Sequence, residues 1–310
     1  MSFKAMAKYN HYLVDKKAIE SASKLDIKFI SHVGQGGYAD VYYGTFNSEK
    51  VAIKVTHKDK CNKNTLKQEL EVVQHLTPIE HQNVIKFLKV IDNPDDIPNE
   101  VWLIMGWFES NDMNQLLITR KQPFNEQIAQ HYFKQMVEGL QWLHRNNVVH
   151  RDIKPANLLI GISAENMNVI KYIDFGFAKI VNNNTDNSSP DKAMCTSHKG
   201  SQIYMAPEIL SSKFIYYDAF KTDIYSLGIV LYEMLFNELP FLTSDFGVDR
   251  EDRNDLMIAL KESLTIRYPE NIDVSESAKN LIENICCDSD KRLTTELILQ
   301  SKWIKPTNNH

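Results

Sequence analysis

His150-Arg151-Asp152-Ile153-Lys154-Pro155-Ala156-Asn157 is the stretch that decides what this chain folds into. One loop brings together a carboxylate able to accept a proton, an ammonium two residues on and a side-chain amide five residues on. The apolar Leu158-Leu159-Ile160 that follows predicts a short strand, so the three polar groups are held beside a rigid element. Taken alone, the string is equally a salt-bridged turn with Asn157 capping the strand. The partners found elsewhere in the chain decide between the two.

Upstream, Ile128, Tyr132, Met136, Leu140 and Leu143 recur at helical spacing and predict a helix from Glu126 to Asn146 that delivers the chain to His150. Downstream, Val169 to Ile173 predicts a strand ending in Asp174-Phe175-Gly176, which adds a second carboxylate close in sequence to the first. Val181 to Lys199 is rich in asparagine and serine without periodicity, as in a mobile loop bearing hydroxyls. Gly200-Ser201-Gln202-Ile203-Tyr204-Met205-Ala206-Pro207-Glu208 comes next. A helix is expected over Thr222 to Phe236, with Asp223 either its opening carboxylate or a strut beneath the loop. Helices over Asn280–Ile285 and Thr294–Gln300 close the chain, with Trp303 packing its end.

The first third reads differently. Residues 1 to 25 show no clean period and form an outer helix or a loose arm. Phe29-Ile30, Val41-Tyr42-Tyr43 and Val51-Ala52-Ile53 are short β-branched and aromatic runs broken by glycines and by Asn47-Ser48, the pattern of an antiparallel sheet. In Gly34-Gln35-Gly36-Gly37 the missing side chains let backbone N–H groups approach phosphate oxygens, although a plain hairpin turn explains these glycines as well. Lys54, at the end of Val51-Ala52-Ile53-Lys54, adds an ammonium on the neighbouring strand. Such a lysine needs a carboxylate, and the helix expected over Asn64 to Leu76, with Leu66, Leu70, Val73 and Leu76 in one stripe, offers Glu69 beside the stripe and Glu71 on the solvated face. Glu69 is the choice. A strand is expected over Val84 to Val90, a polar loop over Asp92 to Glu100 and a last strand over Val101 to Met105. Beyond it, Gly106-Trp107-Phe108-Glu109-Ser110-Asn111-Asp112 loses periodicity, like a hinge whose backbone meets a flat ligand.

Composition restricts the partners. A chain of 310 residues, 43% hydrophobic and 24% charged, fits one large domain or two lobes sharing a cleft. Its net charge of -5 gives no general attraction to nucleic acid or membrane. Cys61, Cys195, Cys286 and Cys287 have neither metal-ligand nor disulfide spacing, and no secretory segment opens the chain, which fits a reducing, cytoplasmic location. The longest apolar run, Leu227 to Phe236, contains Glu233 and is too short to span a bilayer. Met1-Ser2 is no myristoylation start and Thr307-Asn308-Asn309-His310 no prenylation box, so a soluble protein is expected.

The ordered set Gly34-x-Gly36, Lys54, Glu69, His150-Arg151-Asp152, Asn157, Asp174-Phe175-Gly176, Ala206-Pro207-Glu208 and Arg292 resembles the eukaryotic-type protein kinase family over roughly Lys28 to Ile304. The resemblance implies an α+β, bilobal protein-kinase-like fold: an extension over 1–25, a small β-rich lobe with one helix over 26–106, a larger mainly helical lobe over 107–305 and a tail over 306–310. It implies ATP and Mg2+ as cofactors. Lys54 then contacts the α- and β-phosphates with Glu69 as its partner, Asp152 orients the substrate hydroxyl and accepts its proton, and Lys154 stabilises the transferring phosphoryl group. Asn157 and Asp174 are the magnesium ligands. Val33, Gly34 and Gly36 line the nucleotide, Val41, Ala52 and Leu159 wall the adenine, Met105 guards the back pocket, Gly106 and Phe108 offer hinge backbone and Asp112 meets the ribose. Val73, Phe87, His150 and Phe175 resemble a stacked column anchored by Asp223, and Glu208 with Arg292 a structural ion pair.

Lys154 and the Gly200-Ser201 segment are similar to the serine/threonine branch, so protein substrates with serine or threonine acceptors are expected. Arg151 is expected to be an unpaired cation awaiting a phosphate on Ser197, or secondarily Thr196, put there by an upstream kinase or by trans-autophosphorylation. Ala39 stands where the family has a third loop glycine, Gly106 where a hinge acid is common and Tyr225 where a tryptophan follows Asp223; none removes a reacting group. Asp174-Phe175-Gly176-Phe177-Ala178 is similar to the autophagy-initiating kinases, and calcium/calmodulin-dependent-like kinases share much of it. Asp112 and Glu233 resemble positions that favour basic residues before the target hydroxyl, whereas Ala156 lacks an acid used for this elsewhere. The alternative function is a catalytically weak nucleotide-binding switch or scaffold.

Overall fold

The computed structural model describes residues 22–93, 97–163, 167–181, 203–210, 217–240 and 266–305. Its backbone separates into two compact units, one holding Ile85–Glu109 and the chain before Gln82, the other holding Gln82–Val84 and the chain from Ser110.

The first unit is a five-stranded antiparallel sheet in the order β1-β2-β3-β5-β4, from β1 (Ile27–Gln35), β2 (Ala39–Phe46), β3 (Glu49–His57), β4 (Phe87–Ile91) and β5 (Glu100–Gly106). Asn47 and Ser48 join β2 to β3 with φ of 51° and 66°, the left-handed pair a two-residue hairpin needs to follow the strand twist. At Gly44 a Cβ would lie 2.1 Å from the Lys28 carbonyl oxygen, so β1 closes on β2 only because this side chain is missing. Alternation along β3 buries Val51, Ile53 and Val55 in an apolar cluster with Ile27, Tyr42, Trp102 and Ile104. Ala22 and Leu25 pack into the same cluster.

The opposite face follows from register. Val41, Lys54 and Leu103 form one cross-strand row and Tyr43, Ala52 and Met105 the next. The helix α1 (Lys63–Leu76) starts at Asn62, whose side chain accepts from the amides of Asn64 and Thr65. Its buried positions are Glu69, Val72, Val73 and Leu76, with Leu66 and Leu70 only half-buried. The buried stripe is therefore turned so that Glu69 lies within it. The strand expected over Val84 to Val90 is shorter and begins at Phe87, because residues 82–84 belong to the second unit.

The second unit is mainly helical. It contains β6 (Ser110–Asp112), α2 (Met113–Arg120), α3 (Glu126–Arg145), β7 (Val148–Val149), a 3-10 turn over Pro155–Asn157, β8 (Leu158–Ile162), β9 (Asn168–Tyr172) and β10 (Lys179–Ile180). The helices α4 (Pro207–Leu210), α5 (Ala219–Phe236), α6 (Glu276–Ile285) and α7 (Thr295–Leu299) follow. The strands pair as β6-β8-β9 and β7-β10. Asp218, not Asp223, opens α5 by accepting from the amides of Phe220 and Lys221. This helix is buried on nearly every face, which makes it the core of the unit. Trp303 is buried and donates from Nε1 to Glu126 at 2.8 Å, tying the chain end to the start of α3. The expected class, a β-sheet unit with one principal helix followed by a mainly helical unit, is the class observed. Among the described residues no helix is long and apolar enough to cross a membrane.

Candidate active site

In the first unit Lys54 donates from Nζ to Glu69 Oε1 at 2.7 Å, and the two side chains are only 16% and 7% exposed. Glu71 instead faces Lys67 across an exposed turn at 3.8 Å. Val41 and Ala52 share the sheet face of Lys54, and Met105 lies opposite Ala52. Gly34 and Gly36 lead into the β1–β2 turn, and Val33 just before it is exposed. Gly106 already donates its N–H to the Lys86 carbonyl at 2.9 Å, which leaves its own carbonyl as the hinge group it can offer. Phe108 follows the end of β5 and is half-buried.

In the second unit the catalytic-loop candidates are held by backbone. The Asp223 carboxylate, 1% exposed, accepts from the amide of His150 at 2.8 Å, the amide of Arg151 at 2.8 Å and His144 Nε2 at 3.1 Å. With α5 starting four residues earlier, at Ala219, Asp223 is the strut and not the helix-start carboxylate. His150 is fully buried, with its ring 5.0 Å from that of Phe175 and Nε2 3.1 Å from the Ile173 carbonyl. Arg151 and Asp174 hold φ of 63° and 56°, a left-handed conformation that non-glycine residues keep only where their surroundings enforce it.

Asp152 is 7% exposed, and both Lys154 Nζ, at 2.8 Å, and Asn157 Nδ2, at 2.9 Å, donate to its Oδ2. Neither reaches Oδ1, which leaves an oriented oxygen for a proton. Asn157 also donates to the Asp152 carbonyl at 2.8 Å, so its amide nitrogen is fully engaged and its carbonyl oxygen is turned the other way. The amide of Ile173 donates to the Asn157 carbonyl at 3.0 Å, which ties the chain just before Asp174 to the loop. Among the described residues no three acidic, histidine or cysteine side chains could together hold a metal ion. One carboxylate and one amide oxygen instead fit a hard cation whose other ligands are phosphate oxygens and water.

Two of the candidates also hold bonds of their own. Arg151 is not without a partner: its Nε donates to the Phe177 carbonyl at 2.5 Å. Asp112 caps α2 by accepting from the Gln115 amide at 2.8 Å, and it pairs in register with Leu159 of β8. Ser197 and Thr196 lie outside the described residues.

Arg292, 2% exposed, grips Glu208 with two nitrogens at 2.6 and 3.2 Å and lies 5.0 Å over the ring of Tyr225, the residue standing where a tryptophan was expected. Tyr204 donates its hydroxyl to Glu233 at 2.7 Å. Burial pushes the Glu233 carboxyl up, and this hydrogen bond partly offsets the rise. Sequence reasoning missed Asn83, which is fully buried and donates to Gln135 and to the Ile170 carbonyl, each at 2.9 Å. It also missed His144 as the third donor on Asp223. Neither residue belongs to a pattern, so its type alone carried no signal.

A sequence profile of the protein kinase domain matches residues 27–304. The chain is 33% identical over 286 residues to the serine/threonine-protein kinase atg1 of Dictyostelium discoideum, covering 89% of this chain and 39% of that one. It is 31% identical over 273 residues to the serine/threonine-protein kinase ULK3 of Xenopus laevis, covering 87% and 53%. Against the testis-specific serine/threonine-protein kinase 4 of Homo sapiens the identity is 29% over 283 residues, covering 88% and 80%. The chain thus spans well under two thirds of the first two relatives. With Lys54 bonded to Glu69, Asp152 and Asn157 joined in one loop and that loop hung from Asp223, the match from Ile27 to Ile304 accounts for all of them: the chain belongs to the protein kinase family.

Proposed function

We propose that the protein transfers the γ-phosphoryl group of ATP to serine or threonine hydroxyls of protein substrates. The observation that carries this reading is the Asp152 carboxylate, buried with two donors on one oxygen and the other oxygen left to receive the hydroxyl proton. Lys154, bonded to Asp152, is within reach of the same hydroxyl and lends positive charge to the phosphoryl group in transit. Lys54, steadied by Glu69, binds the α- and β-phosphates, and the Gly34–Gly36 turn offers them backbone N–H groups. Val33, Val41, Ala52, Met105 and Leu159 enclose the base, the Gly106 carbonyl and Phe108 backbone bond to it, and Asp112 meets the ribose. Asn157 and Asp174 would hold Mg2+, which when bound neutralises charge on the phosphate oxygens. Replacing Asp152 by asparagine keeps its shape and removes the base; label transfer from γ-labelled ATP should drop about 10²–10⁴-fold. No transfer by either protein would favour a nucleotide-binding switch or scaffold.

Three finer readings are proposed with it. The location is cytoplasmic. Phosphate on Ser197 or Thr196, from an upstream kinase or in trans, raises activity, and Arg151 then serves that phosphate in addition to the Phe177 carbonyl. Unmodified Ser197 and Thr196 in fully active protein, read by mass spectrometry, would remove that switch. Glu233, steadied by Tyr204, favours a basic residue before the target hydroxyl; a peptide array indifferent to upstream arginine would reject this.

A further inference from the structure

At the end of the first unit's sheet that carries the glycine turn, the pleat turns a group of polar side chains to the face opposite Val41 and Lys54. Asp40, 3% exposed, is gripped from both sides: His32 Nε2 of β1 lies 3.2 Å from Oδ1, and His57 Nε2 of β3 lies 3.1 Å from Oδ2. Glu100 of β5 stands behind His57, with Oε1 3.7 Å from Nδ1, and its other oxygen accepts from Trp102 Nε1 at 2.8 Å. Tyr42, next on this face of β2, sets its ring 5.2 Å from that of His32. Among the described residues its buried hydroxyl has no hydrogen-bond partner; burial first, then the negative charge of Asp40 and Glu100, pushes its pKa up to about 12.

We propose that Asp40 is a positioning residue for nucleotide binding, fixing the 34–38 turn through His32 and His57 so that its amides are set for phosphate. This rests on the kinase reading above. Among the described residues a side chain at Gly34 or Gly37 would meet nothing within 4 Å, so no neighbour packs against these two glycines, and glycine backbone is the freest of all. Beyond the β1–β2 ladder, which pairs Gly34 with Val41 and Gln35 with Asp40, two backbone bonds hold the turn: the Gly36 amide to the Ala39 carbonyl at 2.7 Å and the His57 amide to the Tyr38 carbonyl at 3.1 Å. His57 thus holds the turn with its backbone and Asp40 with its ring. Asp40 in turn lies opposite Gln35, the last residue of β1, and opposite Val55 of β3. One buried carboxylate therefore cross-links the three strands at the base of the turn. The pleat also explains how an acid is tolerated here: pointing away from Lys54, Asp40 neither competes for the ammonium nor faces an incoming phosphate.

The test is calorimetric titration of Mg-ADP into the full chain, with steady-state kinetics and hydrogen exchange, comparing wild type with Asp40→Asn, His57→Gln and His57→Leu. Asp40→Asn should weaken Mg-ADP binding roughly 3–10-fold and raise KM for ATP by the same factor, with kcat within about twofold. Amides 34–40 should exchange faster while those of α1 do not change. His57→Gln, which still donates, should retain more affinity than His57→Leu. Should Asp40→Asn fail to fold, the His32→Gln/His57→Gln pair carries the same measurements. Unchanged affinity and exchange, or a loss confined to kcat, overturns the role of Asp40 alone; a wild-type chain that binds no Mg-ADP overturns it together with the kinase reading beneath it.

Discussion

Lys54 meets Glu69 through two long side chains from a strand and a helix, whereas Asp152 is set by backbone whose two preceding amides donate to the buried Asp223. The first arrangement has one bond between flexible arms, each giving up about 1.5–2 kcal/mol of rotamer freedom to make it. The second has no flexible joint: His150 and Arg151 are fixed at their N–H groups, and His144 adds a third donor from α3. A helix that shifts slightly breaks the first pair and leaves its unit folded. The loop of the second unit moves only if the core helix α5 moves with it.

Asp223→Ala strikes hardest at this contrast. It leaves two buried amides and an imidazole without their acceptor, so unfolding free energy should fall by about 3–5 kcal/mol, read as an earlier denaturation midpoint at unchanged slope. A fall under about 1 kcal/mol would mean that the loop is held by something else, and the two units would then not differ in the way described.

How much of this was legible follows from which residues carried a pattern. The sheet of the first unit could be read because β3 alternates and Asn47-Ser48 marks a hairpin. The position of Glu69 in α1 was read one step off, since a buried charged residue looks like the edge of a stripe when Leu66 and Leu70 flank it. Val84 looked like the start of a strand, yet residues 82–84 join the second unit: the Asn83 carbonyl accepts from the Tyr172 amide at 2.9 Å. A bond between residues so far apart in sequence leaves no local periodicity. Asp218 and Asp223 are equivalent as helix openers by type, and only the extra turn from Ala219 separates them.

Glu69→Gln tests the softer arrangement. Gln keeps the length but loses the charge, so phosphotransfer should fall roughly 10–100-fold while stability changes by only about 1–2 kcal/mol. Loss of both to the extent seen with Asp223→Ala would make the Lys54 pair as structural as the loop anchor.

Gly139→Ala probes the packing behind the loop's strand. A Cβ there would sit 3.0 Å from Asn83 Cβ and 3.0 Å from Tyr172 Cε2, tighter than ordinary contacts. Tyr172 is fully buried and bonded to the Met136 carbonyl, so it cannot swing away. The expected loss is about 1–3 kcal/mol, measured by denaturation, with the Lys54 pair unaffected. The equivalent change in an open helix would be stabilising, since alanine is the better helix former.

The smallest expected effect separates two carboxylates two residues apart on α1. Glu71 is 55% exposed and lies 3.8 Å from Lys67, which is 77% exposed, across one helical turn. Solvent screens such a pair, and it contributes about 0.3–0.5 kcal/mol at most. Glu71→Gln should therefore leave phosphotransfer within about twofold of wild type and move the denaturation midpoint within error. Equal activity losses in Glu69→Gln and Glu71→Gln would show that the acidic character of α1 as a whole matters, and not the single 2.7 Å bond to Lys54. A loss confined to Glu69 isolates burial as the difference, since the two residues share a charge, a helix and a length and differ in which face of α1 carries them.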